Sequence, residues 1–198
     1  MALFEFKTLV KITAMKKKSI IIGVCILIVL LGAFISFYYY TTSFSPQSVA
    51  EFKENDLEIK VTYSRPFKKG RTIFGELEPY GKVWRTGANE ATTFETNKDL
   101  LIKGSLLKAG KYTLWTIPDP QLWTVIFNSE TGQWGIRFNK EANRNLKNDV
   151  VTVQVPALTH EKVMEQFTIS IHKTGGELEL ILFWDKTLVA VPIAVSGQ

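Results

Sequence analysis

The chain has 198 residues, a net charge of +5 at pH 7 and a single cysteine, Cys25. The length fits one domain of ordinary size with an appendage, and one cysteine excludes a disulfide framework and a cysteine-based metal site. Residues 1–18 contain five lysines and one glutamate and so carry +4, whereas the other 19 basic and 18 acidic residues leave only +1. The basic balance therefore belongs to the N-terminal segment and does not indicate a nucleic-acid partner.

Residues 19–37 read SIIIGVCILIVLLGAFISF and contain no charged residue. A helix of this length matches the apolar thickness of a bilayer. The run follows Lys16–Lys18 and precedes Tyr38–Tyr40, and lysines and tyrosines are typical of the two water interfaces of a spanning helix. We predict a transmembrane anchor at residues 19–40 that contacts the inner membrane, with residues 1–18 in the cytoplasm and the C-terminal domain in the periplasm or an equivalent extracytoplasmic space.

Two other interpretations of this run remain open. A cleaved secretory signal is usually shorter and closes with small residues, whereas Phe34–Phe37 and the tyrosines after them form a poor cleavage site. Lipidation at Cys25 is disfavoured because this cysteine lies in the middle of the run and Val24 before it is bulky for such processing. An uncleaved anchor is the favoured interpretation.

The sequence after the anchor predicts a polar linker at residues 41–55 and a β-rich domain at residues 56–198. From Leu57 to Tyr63 apolar residues alternate with polar ones, which is typical of a strand with one buried face. About ten short segments of this kind follow one another with almost no helical pattern. We therefore predict an all-β domain, an antiparallel β-sandwich of two sheets, behind one N-terminal transmembrane helix. The main predicted strands are 57–63, 92–96, 100–102, 106–117, 122–127, 133–138, 150–155, 162–172, 177–184 and 187–195, with tight hairpin loops at 175–176 and 185–186.

The stretch from Tyr63 to Thr93 is too polar and too rich in glycine to be a core strand, and it is the predicted functional site. Arginine presents a rigid fork of donors that suits carboxylate, phosphate or sugar hydroxyls. Asparagine donates and accepts, and a glutamate becomes a general acid or base if burial raises its pKa. The candidate ligand-binding residues of this kind are Arg65, Arg85, Asn89 and Glu90, and Glu90 is the best candidate for a catalytic residue.

Aromatic residues divide into two groups by their surroundings. Trp115, Trp123 and Trp184 lie in apolar strands and are predicted to be core residues. The aromatic residues beside glycines and polar groups are predicted to contact a ligand, and these are Tyr80, Trp84 and Trp134. Tyr112 follows Ala-Gly-Lys and is predicted to be a structural tyrosine, whose hydroxyl bonds the backbone a few residues upstream.

Other residue groups give weaker signals. His160 and His172 are the only histidines, are twelve positions apart and have no cysteine partner, so no metal or other cofactor is predicted. Glu76 and Glu78 flank Leu77 and are placed in solvent, because paired glutamates in a lysine-rich loop are usually solvated. The basic segment 68–71 has the wrong glycine spacing for a phosphate loop and is predicted to be a solvated turn.

The polar stretch also carries a resemblance. The segment SRPFKKGRTIFGELEPYGKVWRTGANEAT, followed by KAGKYTLWTIP, WTVIFN and QWG, closely resembles the bacterial family known as domain of unknown function 2911. The resemblance covers about residues 56–196. It implies a secreted or membrane-attached protein of the Bacteroidetes type, and it brings no accepted catalytic residues and no substrate.

Three functions are compatible with these observations. The favoured hypothesis is a binding module whose groove at 63–93 takes a polar small molecule, either a glycan or an anionic component of the envelope. The second is a hydrolase with Glu90 as general acid or base. The third is a structural or interaction domain in which the polar stretch is a packing latch.

Overall fold

The computed structural model describes residues 2–197, and it describes the side chains of residues 17, 18 and 20–197. The chain forms two compact units, Met1–Ser43 and Phe44–Gln198. The first unit is a helix and the second contains nine strands and a short 3-10 helix. In chain order the elements are α1 (Ala2–Ser43), β1 (Gln47–Glu54), β2 (Leu57–Ser64), β3 (Thr93–Thr96), β4 (Leu100–Ile102), β5 (Ser105–Leu107), β6 (Gly110–Ile117), β7 (Leu122–Asn128), the 3-10 helix (Leu146–Asn148), β8 (Asp149–Thr174) and β9 (Glu177–Val195).

Helix α1 contains a segment, Ile20–Ser43, that is long and apolar enough to cross a membrane. Its large apolar side chains are exposed on every side, which is typical of a helix whose natural surroundings are apolar. Near its end, the hydroxyls of Thr41, Thr42 and Ser43 donate to carbonyls one turn earlier. A signal sequence near the N-terminus has the same length and composition, so the helix itself does not distinguish an anchor from a signal.

The nine strands form one antiparallel sheet in the order β1-β2-β3-β6-β7-β8-β9-β4-β5. The prediction of an all-β domain behind one N-terminal helix is confirmed. The predicted division into two sheets is not confirmed, because β8 joins the two halves. Its first part, through Pro156, pairs with β7, and its later part, from Ala157, pairs with β9.

The last part of the chain differs from the prediction in strand number. Four short strands were predicted between residues 150 and 195, and the structure has two long ones. The predicted turn at Gly175–Gly176 is a tight hairpin in which Thr174 pairs with Glu177. The predicted hairpin at 185–186 was wrong, because β9 continues through Asp185, which takes a left-handed φ of 53° at a register shift.

Two loop regions also differ from expectation. Residues 47–54, which fall in the predicted linker, form β1 and pair with β2 along its full length. Residues 133–138, predicted as a strand, contain only an isolated bridge between Ile136 and Ala142. This segment instead forms part of the loop between β7 and β8.

The core is a cluster to which every strand from β2 to β9 contributes buried residues. Trp123 and Trp184 lie in it with 1% exposure each, and Trp115 is buried in a smaller cluster on the other side of β6. The prediction that these three tryptophans are core residues is confirmed. The predicted structural role of Tyr112 is also confirmed, because its hydroxyl donates to the Lys108 carbonyl at 2.8 Å.

Tyr63 connects the two halves of the sheet. Its buried hydroxyl donates to the Ile169 carbonyl at 3.1 Å and accepts from the Ile169 N–H at 2.9 Å. Ile169 lies next to the irregular segment of β8, and the tyrosine hydroxyl gives both of its buried backbone groups a partner.

We therefore expect Tyr63→Phe to lower the free energy of unfolding by about 1–3 kcal/mol, because both Ile169 groups would stay buried without a partner. Urea denaturation of the full chain in neutral detergent measures this change. The matched control is Tyr80→Phe, which removes the hydroxyl of a tyrosine that is 44% exposed. Equal stability of the two variants would contradict the structural role of the Tyr63 hydroxyl.

Candidate functional site

The polar stretch between β2 and β3 crosses one end of the sheet as a long loop. Two isolated bridges join it to strands. Phe67 pairs with Gln166 of β8, and Trp84 exchanges backbone hydrogen bonds with Thr116 of β6 at 2.7 and 3.0 Å. This bridge places the Trp84 ring in the core, where it stacks on Trp184 with ring centroids 5.9 Å apart. The neighbouring residue Arg85 is half-buried. The bridge thus fixes the position from which the Arg85 side chain extends.

The backbone after Arg85 is held in an unusual conformation. Thr86 has a φ of 55°, which is rare for a β-branched residue, and its buried hydroxyl bonds that of Thr116 at 3.1 Å. Gly87 follows with a φ of 155°, and a Cβ there would lie 2.9 Å from the Ser64 carbonyl oxygen. Strained backbone of this kind persists only where the surroundings impose it, and it is concentrated at functional sites.

Arg85 is the centre of the candidate site. Its Nη1 atom is buried and makes no hydrogen bond within the described structure. Gly135, from the loop between β7 and β8, covers its aliphatic part so closely that a Cβ would lie 2.5 Å from the Arg85 Cδ. Burial lowers the pKa of Arg85, and the charges of Glu78 and Glu90 raise it in part.

Glu78 is the second central residue. The loop that contains it is fixed by two backbone hydrogen bonds, from Glu78 N–H to the Ile73 carbonyl at 2.9 Å and from Gly75 N–H to the Glu78 carbonyl at 3.0 Å. Burial raises the pKa of Glu78 to about 8, against smaller opposing effects of Arg85 and Arg71. The carboxyl group is therefore mostly protonated at neutral pH and is able to donate a hydrogen bond.

Two pockets meet at Leu77, Glu78 and Arg85, and we call the two together the Arg85 groove. The first pocket has a volume of about 470 Å³ and includes Lys69 and Arg71 in its wall. Its remaining walls are mainly apolar or backbone, and include Phe44, Pro66, Phe67, Gly87 and Ala88.

The second pocket of the groove is larger, about 770 Å³, and lies on the side of the β7–β8 loop. It combines apolar residues with Lys82, Lys140 and Glu141, and its apolar walls include Pro79, Val83, Ile136 and Ala142. The groove as a whole therefore has a charged centre, and the compartment on each side of it combines apolar with charged walls.

Arg65 lies outside this groove and is occupied by structural contacts. Its Nε donates to the Phe167 carbonyl at 3.0 Å and its Nη2 donates to the Thr168 hydroxyl at 2.8 Å. The carbonyl of Arg65 accepts from the Gln166 side chain at 3.1 Å. These contacts join the polar stretch to β8.

Asn89 and Glu90 lie at the other side of the loop. Asn89 has a φ of 57°, and its amide donates to the Ser45 carbonyl at 3.0 Å. Glu90 contributes to a separate hollow of about 190 Å³ that also contains Lys111. Neither residue lines the two pockets of the Arg85 groove, although the charge of Glu90 acts on Arg85.

The three aromatic candidates occupy different environments. Trp84 borders the second pocket but is only 4% exposed, and its indole N–H donates to the Gly87 carbonyl at 3.0 Å. Tyr80 is 44% exposed and packs against Gly75, and Trp134 is 43% exposed beside Gly135. Of the residues predicted from sequence, the structure thus brings Arg85 and Trp84 to the groove.

Glu78 is the residue that the sequence interpretation placed elsewhere. It was predicted to be solvated with Glu76, and the structure half-buries it at the wall of both pockets. A partial signal was available, because Pro79-Tyr80-Gly81 after it forms a turn that returns the chain toward Arg85. Among the side chains that the structure describes, no group of three His, Cys, Asp or Glu residues is placed to hold a metal ion.

The fold and the groove define an all-β domain with a half-buried arginine–glutamate centre, preceded by an apolar helix. A family model described as "Protein of unknown function (DUF2911)" matches residues 45–193. The chain belongs to this family, and the match begins two residues after α1 ends. Comparisons with curated proteins and with solved structures gave no match.

Proposed function

We propose that the domain is a binding module for a small anionic ligand, held at the outer face of the membrane by α1. The observation that carries the proposal is the Arg85 guanidinium, whose buried Nη1 has no hydrogen-bond partner among the described residues and lies where two pockets meet. A buried donor of this kind costs about 1–3 kcal/mol if nothing satisfies it. A ligand oxyanion at Arg85 would remove that cost and gain a charge-assisted hydrogen bond.

The charges of the first pocket favour an anion over a neutral ligand. Its wall contains three cationic side chains, Lys69, Arg71 and Arg85, and one carboxyl group, Glu78. The net charge of these four side chains is +2 with Glu78 ionised and +3 with Glu78 protonated. Protonation also converts Glu78 from a group that repels an anion into a donor beside the guanidinium.

The aromatic residues of the groove do not favour a neutral glycan. Sugar rings stack on exposed aromatic faces, whereas the two tryptophans, Trp84 and Trp184, are 4% and 1% exposed. The ring of Phe44 is exposed, but the ammonium group of Lys69 lies over it. We therefore choose the anionic member of the two ligand classes that the sequence left open.

The proposed location rests on the N-terminal segment. Ile20–Ser43 meets the length and composition of a membrane span. The lysines at 16–18 precede it, and positive flanks stay on the cytoplasmic side. The β-rich unit would then lie outside the membrane.

A thermal-shift titration of the full chain in neutral detergent tests the binding proposal. The probes are phosphate, citrate, glucuronate and the neutral sugar glucose, all at constant ionic strength with chloride as the reference. A probe at about 100 times its Kd raises the free energy of unfolding by about 2.7 kcal/mol, which is a shift of several degrees in Tm. We expect a shift with at least one oxyanion and none with glucose, and no shift with any oxyanion would contradict the proposal.

Gly135 offers a prediction about the shape of the groove. A Cβ at this position would lie 2.5 Å from the Arg85 Cδ and 3.0 Å from its Cβ, at a backbone φ of 101°. We expect Gly135→Ala to displace Arg85 and to weaken oxyanion binding by about tenfold or more, the equivalent of about 1.4 kcal/mol.

The matched control is Gly132→Ala, which has a similar φ of 88° but open space around the added Cβ. Both variants carry the backbone strain of a left-handed alanine, about 1–2 kcal/mol. Only Gly135→Ala is expected to change binding, measured by calorimetric titration with the oxyanion that gave the largest thermal shift. Equal binding by the two variants would show that Arg85 does not contact the anion.

A hydrolase is a second candidate, favoured by the raised pKa of Glu78. A carboxyl group protonated at neutral pH is a general acid, and the adjacent guanidinium stabilises negative charge. Glu141 borders the same second pocket and would serve as the base. This replaces Glu90 as the proposed acid or base. Turnover of phosphate and carboxylate esters that is lost in both Glu78→Gln and Glu141→Gln would support this candidate, and no turnover of either ester class would contradict it.

A further inference from the structure

We infer that the anion taken by the first pocket is a phosphate group at the membrane surface, carried by the headgroup of an anionic phospholipid. The same chemistry is available from a free phosphate ester, and the experiment below separates the two sources. The inference rests on the proposed function, because it names the ligand class of the same pocket.

Part of the pocket wall directly follows the candidate membrane span in the chain. Phe44 and Ser45 contribute to the pocket wall, and they directly follow Ser43, the last residue of the candidate membrane span. The span has 24 residues, which rise about 36 Å in a helix against a hydrocarbon core of roughly 30 Å. Its last residues therefore reach the headgroup layer, and covalent connection keeps Phe44 within a few ångströms of that depth.

Phe44, the residue at this depth, is an exposed aromatic residue next to a lysine. Phe44 is 46% exposed, and the ammonium group of Lys69 lies over its ring at 5.0 Å from the centroid. Aromatic residues and lysines are the side chains that favour the boundary between lipid and water. An ammonium held over an exposed ring also remains accessible to an anion.

Hydrogen bonds and an ion pair hold the basic turn, residues 68–71, in place. Lys68 is paired with Asp185 at 2.6 Å and also donates to the Arg71 carbonyl at 2.9 Å. The N–H of Lys69 donates to the Glu165 carboxylate at 2.7 Å, and Arg71 Nε donates to the Lys68 carbonyl at 3.0 Å. The Nη2 of Arg71 also donates to the Phe67 carbonyl. Lys68 and Arg71 thus both fix the turn, and the Lys69 ammonium and the remaining N–H groups of Arg71 line the pocket. The predicted solvated turn is confirmed, because residues 69–71 are exposed, and the inference adds a role for its cations.

The first pocket combines positively charged side chains with apolar surface. A phosphodiester carries one negative charge and two free oxygens, which suits the donors of Arg85, Arg71 and Lys69. Glu78 supplies a further donor while it is protonated. Phe67 and the 39%-exposed Leu77 border the same space and suit the glycerol and the first methylene groups.

The experiment measures the Kd of short-chain probes for the full chain in a neutral detergent. The probes are dihexanoyl phosphatidylglycerol, dihexanoyl phosphatidylcholine, glycerol 3-phosphate, inorganic phosphate and citrate. We expect phosphatidylglycerol to bind at least about tenfold more tightly than phosphatidylcholine or glycerol 3-phosphate. Lys69→Gln should weaken phosphatidylglycerol binding about fivefold, which is the scale of removing one charge contact at a membrane surface. Lys162→Gln, on an exposed part of β8, removes the same charge elsewhere and should leave binding unchanged.

Each other result would overturn the inference in a distinct way. Glycerol 3-phosphate or inorganic phosphate binding as tightly as phosphatidylglycerol would show a free phosphate ligand. Citrate binding without binding of any phosphate probe would contradict phosphate as the ligand and leave the anion-binding proposal intact. Equal effects of Lys69→Gln and Lys162→Gln would place the lipid outside this pocket. No binding of any anion would remove both the inference and the proposed function.

Discussion

Raising the pH from 5 to 8.5 is expected to lower the free energy of unfolding by roughly 3–5 kcal/mol, because burial raises the pKa of Glu78 to about 8 in the folded protein from an ordinary value of 4.5. Between these two values the folded state binds more protons than the unfolded state, so stability falls as the pH rises. The loss begins above about pH 4.5 and is complete above pH 8. The physical cause is the cost of placing a charged carboxylate where burial separates it from water.

Glu78→Gln is expected to remove most of this pH dependence. The amide keeps the shape of the protonated carboxyl group and does not ionise, so the variant should exceed the wild type in stability at pH 8.5 and match it near pH 5. The control is Glu76→Gln, which alters an exposed glutamate of the same loop. Urea denaturation at each pH measures the effect.

Two other carboxyl groups with shifted pKa values, Asp99 and Asp119, do not affect stability between pH 5 and 8.5. Hydrogen bonds from Lys108 and the Ala109 N–H lower the pKa of Asp99, and hydrogen bonds from the Gln121 and Leu122 N–H groups lower that of Asp119. Their stabilising effects are lost only on acidification below the unfolded value of about 3.8. A wild-type profile that is flat from pH 5 to 8.5, with Glu78→Gln identical to it, would contradict the burial of Glu78.

Arg65 and Arg85 are expected to respond in opposite ways to replacement by methionine, which keeps the aliphatic part of each side chain. Arg65→Met should lower the free energy of unfolding by about 1.5–3 kcal/mol, because it removes two hydrogen bonds from a charged donor and leaves the Phe167 carbonyl without that partner. Arg85→Met should not lower it at pH 6, and without an anion should raise it by up to about 1–3 kcal/mol, because the buried Nη1 has no hydrogen bond to lose among the described residues and its unsatisfied donor is removed.

The effects of the two substitutions on oxyanion binding should be the reverse of their effects on stability. Arg85→Met is expected to abolish the thermal shift caused by an oxyanion, whereas Arg65→Met should retain it at a lower starting Tm. A residue kept at little benefit to stability and needed for binding is the signature of a functional site. If Arg85→Met instead destabilises the chain by several kcal/mol, the polar stretch acts as a packing latch, which is the third hypothesis from the sequence.

The alternation of apolar and polar residues predicted the β-class and most strand positions, because one face of each strand is buried. It did not predict that β8 and β9 are each continuous. The irregular pairing around residues 159–168 and the left-handed Asp185 interrupt the alternation, and interruptions of that kind resemble loops in a sequence. The strand at 47–54 was missed because its inner positions are only half-buried.

The candidate site was predicted as a stretch more accurately than as a set of residues. Arg65, Trp84, Arg85 and Glu78 are close in sequence and differ in role because the loop reverses several times. The bridge to Thr116 buries the Trp84 ring, and hydrogen bonds to β8 occupy Arg65. The burial of Glu78 depends on how the loop folds back on itself, and local composition carries little information about such contacts.

The central claim is that an oxyanion binds to the Arg85 guanidinium. An anomalous difference map from crystals of the full chain soaked in selenate tests it most directly. We expect a selenium peak in the Arg85 groove, with a selenate oxygen about 3 Å from Arg85 Nη1. A map in which Arg85 Nη1 instead donates to a protein carbonyl or carboxylate, with no selenate in the groove, would contradict it.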